Sequence, residues 1–295
     1  MTDKYYDING VPTRVLQCGG KPSKEMILII PGNPGMVHFY VDFMKCLYDR
    51  LGMSVATICH AGHELPPDDM YQPSLKGNQI LYGLDGQVKH KKEFITKFLP
   101  DNIPINVIGH SIGCKIILEL LKDEEVNFRL QKNILLFPTV ERLAETPNGK
   151  FFVKMDKYFH TAIKFMIYLL HYFPHFIKIP LIRVYSKIGN IPSHFEKAIS
   201  DLVSPSVLEK VFFMAQDEMK KVRELDADVI RNYLSNIYLY YGLEDGWCPR
   251  YYYEELKTVI PEAKAELCKV GYKHAFVLSS PIEMGNIVAD WIDLQ

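Results

Sequence analysis

The chain has 295 residues, of which 48% are hydrophobic and 23% charged, the balance of a globular protein that buries a large core. This composition excludes a disordered or fibrous protein, and a formal net charge of −1 gives no reason to expect a nucleic-acid partner. Lys or Arg interrupts every apolar stretch before it reaches the roughly 18 residues that a membrane-spanning helix needs.

Short β-rich runs alternate with longer helical patterns over most of the chain. This alternation predicts an α/β fold, in which a mostly parallel sheet is covered by helices on both faces. Most of the runs are apolar throughout, as strands buried on both faces must be. The predicted strands are 11–17 at a sheet edge, 26–31, 54–59, 105–109, 133–137, 236–241 and 265–270. The predicted helices are 39–51, 79–98, 114–122, 251–258 and 282–294.

The alternation stops between residues 139 and 235, where no convincing strand occurs. Loops of that length are uncommon inside a compact domain unless they carry structure of their own. We therefore expect residues 139–235 to form a helical cap, inserted in a single α/β domain that spans residues 1–295. The cap is expected to lie over the strand ends, where open α/β sheets bind ligands.

The cysteines and the first residues indicate the compartment. Six cysteines are scattered along the chain without a Cys-x-x-Cys pair, which is typical of a protein in a reducing compartment. The first ten residues, MTDKYYDING, lack the charged and apolar regions of a signal peptide. We expect a protein that is not secreted.

Residues 109–113 read Gly-His-Ser-Ile-Gly and stand between a predicted strand and a predicted helix. A Gly-x-Ser-x-Gly pentapeptide at such a turn is typical of a nucleophile elbow, in which a strained turn exposes the serine hydroxyl. Side chains at Gly109 or Gly113 would collide with neighbouring backbone. Ser111 is therefore the predicted nucleophile of an α/β-hydrolase fold, and a plain structural turn is the alternative.

A serine nucleophile needs a base, and in this fold the chain order is serine, acid, histidine. His274 is the only histidine after Ser111 that follows a late strand of the predicted sheet, which makes it the predicted base. Asp245 follows the strand 236–241 and is predicted to orient the imidazole and stabilise its protonated form. Glu244 is the alternative acid, and both acids could instead cap the next helix.

Acyl transfer also requires N–H donors for the oxyanion, one after the nucleophile and one in a loop after an early strand. Ile112 supplies the first. The second is expected from Pro-Gly-Asn-Pro-Gly at residues 31–35, where Asn33 is the predicted donor because Pro34 has no N–H. This loop lacks the Lys-Ser/Thr of a phosphate-binding loop, so we expect no nucleotide cofactor.

Three further polar motifs receive no catalytic role. His60-x-x-His63 lacks a third ligand at a familiar spacing, so we expect no metal there and interpret the motif as a loop at the mouth of a pocket. Lys-His-Lys-Lys at residues 89–92 is predicted to be a solvated helix face. His110, inside the pentapeptide, is interpreted as a packing residue.

Charge is unevenly divided along the chain. Residues 150–190 contain seven Lys or Arg and one Asp, which leaves this segment at +6 and the remainder at −7. The segment also holds six consecutive apolar residues at 165–170, followed by Pro174, which predicts two apolar helices broken at the proline. Basic residues beside aromatic-rich apolar segments suit the surface of an anionic membrane or lipid monolayer. The open alternative is a helix pair that packs its apolar sides on the core of the domain.

Four motifs, taken together and in this order, resemble the lipid droplet-associated hydrolase family. They are PGNPG at 31–35, GHSIG at 109–113, GLEDGWCP at 242–249 and GYKHAF at 271–276. PGNPG and GHSIG are shared by many α/β-hydrolases, whereas the Asp-Gly-Trp-Cys-Pro turn beside three tyrosines is more specific, as is LYGLDGQ at 81–87. The resemblance covers nearly the whole chain.

The resemblance implies that Ser111, Asp245 and His274 form the catalytic triad of a serine hydrolase acting on neutral lipid or sterol esters, and that the insertion targets lipid droplets and the endoplasmic reticulum. The leading hypothesis is thus a serine ester hydrolase without a cofactor, at the cytosolic face of these surfaces. Two alternatives stay open. One is a lipid-droplet surface or scaffold protein with little turnover, and the other is an acyltransferase or thioesterase that uses the same triad.

Overall fold

The centre of the computed structural model, which describes residues 1–21, 24–173, 175–189 and 191–294, is an eight-stranded sheet. The strands are β1 Thr2–Ile8, β2 Val11–Cys18, β3 Met26–Ile30, β4 Ser54–Ile58, β5 Ile105–His110, β6 Leu130–Leu136, β7 Ile237–Tyr241 and β8 Lys264–Leu267. Across the sheet they follow the order β1-β2-β4-β3-β5-β6-β7-β8. The β1–β2 and β2–β4 pairs are antiparallel and the other pairs are parallel, which confirms the predicted fold class.

Helices pack on both faces of this sheet. The α-helices in the described part of the chain are α1 Val41–Leu51, α2 Gln79–Tyr82, α3 Leu84–Lys97, α4 Ile112–Leu121, α5 Pro147–Tyr172, α6 His175–Ile188, α7 Glu196–Leu202, α8 Pro205–Lys221, α9 Ala227–Asn232, α10 Arg250–Val259, α11 Phe276–Ser279 and α12 Pro281–Asp293. Leu28 of β3 packs in one core with α3 and α4, and the next residue, Ile29, packs in the other with α1 and α12. The strands are apolar throughout because successive side chains point to opposite, equally covered faces.

One end of the sheet differs from the prediction. Strand β2 was expected at the edge, but β1 pairs with it along its whole length and lies outside it. Asn9 and Gly10 join the two strands with φ values of 53° and 73°, and positive φ at both turn residues defines the hairpin turn that Asn-Gly favours. Another difference concerns the predicted helix 79–98, which is interrupted at Gly83 into α2 and α3.

The predicted solvated face at residues 89–92 is wrong in its centre. His90 and Lys91 of α3 are fully buried, and Lys91 Nζ donates a hydrogen bond of 2.9 Å to the Cys59 carbonyl. Both residues lie one turn from Gln87 and Phe94, on the inward side of the helix. Burial lowers the pKa of Lys91 from its ordinary value to about 7.

Between β6 and β7 the described residues form helices α5 to α9 and contain no strand. Helix α5 packs on α8, and α6 packs on α7. The predicted break at Pro174 and the end of the charged segment at Asn190 lie outside the described residues. Nowhere in the described chain is a helix both long and apolar enough to cross a membrane.

Candidate active site

Ser111 occupies a sharp turn between β5 and α4. Its φ of 54° and ψ of −119° are outside the regions that residues other than glycine ordinarily adopt. The turn is tight on both sides, because a Cβ at Gly109 would lie 2.7 Å from the Cys114 nitrogen and a Cβ at Gly113 would lie 2.2 Å from the Ile30 oxygen. The pentapeptide therefore has the geometry of a nucleophile elbow.

His274 and Asp245 lie beside Ser111, joined to it by two hydrogen bonds. His274 Nε2 is 2.9 Å from Ser111 Oγ, and His274 Nδ1 is 2.7 Å from Asp245 Oδ2. The three residues follow β5, β7 and β8, so they meet because the carboxyl ends of parallel strands share one edge of the sheet. Glu244, the alternative acid, is exposed.

The environment of Asp245 favours its ionised form. The carboxylate accepts hydrogen bonds from the Trp247 and Cys248 amides at 2.8 and 3.2 Å and from Cys248 Sγ at 3.0 Å. Burial would raise the pKa of Asp245, but the His274 hydrogen bond and charge, with these donors, lower it below its ordinary value. An ionised carboxylate only accepts, so His274 Nδ1 carries a proton, and in the neutral imidazole Nε2 can accept from Ser111.

The two predicted oxyanion donors stand on either side of the elbow. Ile112 is the first residue of α4, so its N–H has no partner within the helix. In the loop after β3, a Cβ at Gly32 would lie 3.0 Å from Ser111 Cβ, and the Gly32 N–H is already donated to Tyr40 Oη at 2.8 Å. Asn33 offers the next N–H of this loop, and its role stays a prediction.

A buried hydrogen-bond chain connects the loops that carry these groups. Tyr40 Oη, which accepts from Gly32, donates to His110 Nδ1 at 2.7 Å, and His110 Nε2 donates to the His274 carbonyl at 2.8 Å. Burial lowers the pKa of His110 to about 3, so its imidazole is neutral and can accept on one nitrogen while it donates from the other. His110 thus links the elbow to the His274 loop.

The prediction that His60-x-x-His63 lies at the mouth of a pocket is wrong. Both histidines are buried beneath the loop 31–35, where His60 Nε2 is 3.1 Å from the Pro31 oxygen and His63 Nδ1 accepts from the Gly35 amide at 3.0 Å. A Cβ at Gly35 would lie 2.3 Å from the His60 ring. These histidines therefore support the loop.

Two cavities meet at Ser111, His274, Asn33 and Trp247. The first, which we call the apolar cavity, has a volume of about 320 Å³. Its remaining lining is mainly apolar and includes Phe39, Ile191, Ile199, Leu202, Val277 and Leu278. The second, which we call the Glu218 cavity, has a volume of about 210 Å³. It is lined further by Thr139, Leu143, Phe152, Val211, Phe212, Ala215, Glu218 and Met219.

The comparisons with known proteins agree on one family. A family model described as lipid-droplet associated hydrolase matches residues 23–277. The chain belongs to the lipid droplet-associated hydrolase family. A lipid droplet-associated hydrolase of Drosophila melanogaster is 39% identical, with 99% of this chain and 98% of the relative covered. A lipid droplet-associated hydrolase of Gallus gallus is 35% identical, with coverage of 96% and 92%.

A solved structure supports the fold of this lipid droplet-associated hydrolase. A serine hydrolase involved in carbazole degradation superposes with a TM-score of 0.67 at 14% identity, covering 100% of this chain and 99% of that chain. The predicted family and fold are confirmed, and membership makes this chain a hydrolase with the α/β-hydrolase fold.

This lipid droplet-associated hydrolase also contains a buried acid that sequence reasoning missed. Glu218 of α8 lines the cavity named after it, and its Oε1 accepts from Asn33 Nδ2 at 2.9 Å. Burial raises the pKa of Glu218 to about 8 against the lowering effect of the Asn33 hydrogen bond, and the neighbouring Asp217 adds a smaller increase. In the sequence, a buried acid on a helix of mixed polarity cannot be distinguished from a solvent-exposed acid. The burial of Glu218 depends on the packing of α8 beside Ser111.

The described side chains include one group with the spacing of metal ligands. Atoms of Asp245, Cys248 and His274 lie within 4.8 Å of one another. In the structure, His274 Nδ1 and Cys248 Sγ both engage Asp245 Oδ2 in hydrogen bonds, and burial together with the Asp245 charge raises the pKa of the Cys248 thiol. The group acts as a hydrogen-bonded unit around the carboxylate.

Proposed function

We propose that the protein hydrolyses apolar acyl esters, such as neutral lipid or sterol esters, with Ser111 as nucleophile, His274 as general base and acid, and Asp245 as the residue that orients His274. The observation that carries this proposal is the pair of hydrogen bonds, 2.7 and 2.9 Å long, that joins Asp245 through His274 to Ser111. The same arrangement activates serine in unrelated hydrolases.

The proposed reaction has two halves. Ser111 Oγ attacks the ester carbonyl while its proton passes to His274 Nε2, and the amides of Ile112 and Asn33 bind the oxyanion. His274 then protonates the leaving alcohol, which leaves an acyl ester on Ser111. Water, deprotonated by His274, hydrolyses this ester and regenerates the serine. Asp245 stabilises the imidazolium in both halves.

The cavities support an apolar substrate. Ligand sites are commonly lined by apolar side chains with a few well-placed polar groups, and the apolar cavity beside Ser111 fits this description with a volume of about 320 Å³. We place the acyl chain or another apolar branch of the ester there.

Labelling by a fluorophosphonate probe tests the nucleophile. Wild-type protein is expected to be labelled and Ser111→Ala is not, whereas Ser235→Ala, at an exposed serine after α9, is expected to be labelled as the wild type. Circular dichroism of each variant verifies its fold. Equal labelling of wild type and Ser111→Ala would reject Ser111 as the nucleophile.

We also propose that the segment 150–190 contacts the lipid surface of droplets and of the endoplasmic reticulum from the cytosolic side. Large hydrophobic side chains of α5 and α6 are exposed, which the alternative of packing on the core does not explain. Those exposed by more than two-fifths include Phe151, Val153, Tyr158, Phe159, Phe165, Met166, Tyr168, Leu169, Leu181, Val184 and Ile188. The net charge of +6 adds attraction to anionic lipid headgroups.

The same exposed surface supports a second candidate, a lipid-droplet surface or scaffold protein with little turnover. Lipid storage in cells separates the two functions. If the protein acts as an enzyme, Ser111→Ala is expected to abolish its effect on lipid storage. If it acts as a scaffold, only deletion of residues 150–190 is expected to abolish that effect. Lipid analysis of cells with wild-type or Ser111→Ala protein then distinguishes hydrolysis from acyl transfer or thioester cleavage, because each leaves a different product.

A further inference from the structure

We infer that the Glu218 cavity binds a free hydroxyl group of the substrate, so that the preferred ester carries a hydroxyl close to the carbonyl that Ser111 attacks. This inference rests on the proposed function and narrows its substrate class. It is carried by three polar side chains in the wall of one cavity: those of Asn33, Thr139 and Glu218.

Two of these side chains hold a buried polar atom that has no partner among the described residues. They are Asn33 Oδ1 and Thr139 Oγ1. Buried polar atoms are nearly always hydrogen-bonded, so each exception requires an explanation; because both residues line the Glu218 cavity, we assign the missing partner to a ligand bound there. Thr139 is 3% exposed, and its backbone N–H is bonded to the Ser111 backbone oxygen, so this residue is adjacent to the reacting serine.

The orientation of the Asn33 amide is fixed by its other contacts. Asn33 Nδ2 donates to the Val211 carbonyl at 3.1 Å and to Glu218 Oε1 at 2.9 Å. Both donor positions of the amide are therefore used, which leaves Asn33 Oδ1 as an acceptor for a ligand.

Glu218 supplies the complementary donor. Glu218 is 5% exposed, and in the described structure the hydrogen-bond partner of its carboxyl group is the Asn33 amide. Burial raises the pKa of Glu218 to about 8, which favours the protonated carboxyl at neutral pH, and a protonated carboxyl has one O–H to donate. The wall thus offers both a donor and an acceptor, which is what a hydroxyl group requires because it accepts and donates at once.

The dimensions of the two cavities suit an ester with unequal branches. The Glu218 cavity, with about 210 Å³, is smaller than the apolar cavity, with about 320 Å³. A long apolar branch belongs in the apolar cavity and a short hydroxylated branch in the Glu218 cavity. A fully esterified lipid would instead place a second hydrocarbon chain against polar atoms without partners, which is unfavourable.

The hydroxyl could stand on either side of the ester, and two ligand pairs distinguish these sources. Ethyl 3-hydroxyhexanoate and ethyl hexanoate differ in a hydroxyl on the acyl side. Glyceryl monohexanoate and propyl hexanoate differ in hydroxyls on the alcohol side, as in a partial glyceride. Dissociation constants are measured by calorimetry with the full chain carrying Ser111→Ala, so that no ligand is consumed.

We expect the hydroxylated member of one pair to bind about tenfold more tightly, since a site built to hydrogen-bond a hydroxyl discriminates against the analogue that lacks it. Added to Ser111→Ala, Glu218→Leu is expected to bring the ratio close to one, and Glu218→Gln, which keeps a neutral donor, is expected to preserve it. Glu209→Leu, at an exposed residue of the same helix outside this cavity, is the matched control. Should Glu218→Leu fail to fold, Thr139→Val removes a second polar group at nearly constant volume.

Equal binding within both pairs would overturn the inference, as would a preference that survives both Glu218→Leu and Thr139→Val. Because these measurements need no turnover, they are independent of the proposed hydrolysis. Absence of fluorophosphonate labelling would refute the esterase proposal and leave the hydroxyl preference of the cavity to stand or fall by its own binding ratio.

Discussion

Replacing Asp245 by Asn changes the charge of the candidate site with little change in shape. The carboxylate accepts from His274 Nδ1 at 2.7 Å and from the Trp247 and Cys248 amides. An asparagine oxygen can keep the two amide contacts, which turns its NH₂ group towards His274. Nδ1 must then accept, so the imidazole proton moves to Nε2. A protonated Nε2 can no longer accept the proton of Ser111.

The size of the effect follows from the contact and its burial. At about 4 Å between charge centres and an effective dielectric constant of about 20, the carboxylate stabilises an imidazolium by about 4 kcal/mol. The Asp245 side chain is 1% exposed, so salt screens this interaction little. Since about 1.4 kcal/mol corresponds to a factor of ten in rate, loss of the charge alone lowers kcat about a thousandfold, and the wrong tautomer extends this towards about ten-thousandfold.

The assay is hydrolysis of p-nitrophenyl butyrate by purified wild type and Asp245→Asn, with kcat and KM determined separately. We expect the loss in kcat, because Asp245 stabilises a charge that forms only during the reaction. Glu244→Gln removes a neighbouring but exposed carboxylate and is expected to retain activity within about twofold, as surface charges contribute little. The reasoning is refuted if Asp245→Asn keeps more than a tenth of the wild-type kcat, or if Glu244→Gln loses more than Asp245→Asn.

Two further predictions concern the fold. Gly113→Ala is expected to abolish soluble, folded protein, as measured by circular dichroism, because its Cβ would lie 2.2 Å from the Ile30 oxygen. Gly20→Ala, with no atom within 4 Å of the new Cβ, is the control and should fold. A Gly113→Ala variant that folds like the wild type would contradict the elbow packing. Burial lowers the pKa of Lys91 from 10.5 to about 7, so between these pH values the unfolded chain binds one more proton than the folded chain. The free energy of unfolding of the wild type therefore rises with pH in this range, by about 1.4 kcal/mol per pH unit. Urea unfolding at pH 7.5 and 9 should show this gain in wild type and not in Lys91→Met; parallel behaviour of the two proteins would refute it.

The sheet and the candidate site were largely predictable because both depend on patterns that are local in the chain. Uninterrupted apolar runs such as β3 indicate strands buried on two faces, and the pentapeptide around Ser111 identifies the elbow. The parallel sheet then brings Asp245 and His274 to the same edge, since each follows a neighbouring strand. The order of the motifs along the chain and the parallel topology of the sheet were therefore enough to predict that these residues lie together.

The errors came from features that only tertiary contacts decide. Most residues of β1 are polar or partly exposed, so the segment lacks an apolar strand pattern, although Asn9-Gly10 signals the hairpin. The charged residues around Lys91 suggested a solvent-exposed helix face, whereas the helical period aligns Lys91 with Phe94 on the buried face. Nothing local distinguishes Glu218 from a surface acid, because its burial depends on helix α8 lying over the elbow.

Helix α5 lines the Glu218 cavity near its N-terminal end and exposes apolar side chains further along. Phe159 and Phe165 are exposed on it, while Phe152 lines the Glu218 cavity and stacks with Phe212 of α8 at 6.3 Å between ring centres. If the proposed lipid surface favours one position of α5 over another, it would change the affinity of the cavity for its ligand. Thermodynamic linkage would then make the effect reciprocal, so that an occupied cavity alters attachment to the lipid surface by the same factor.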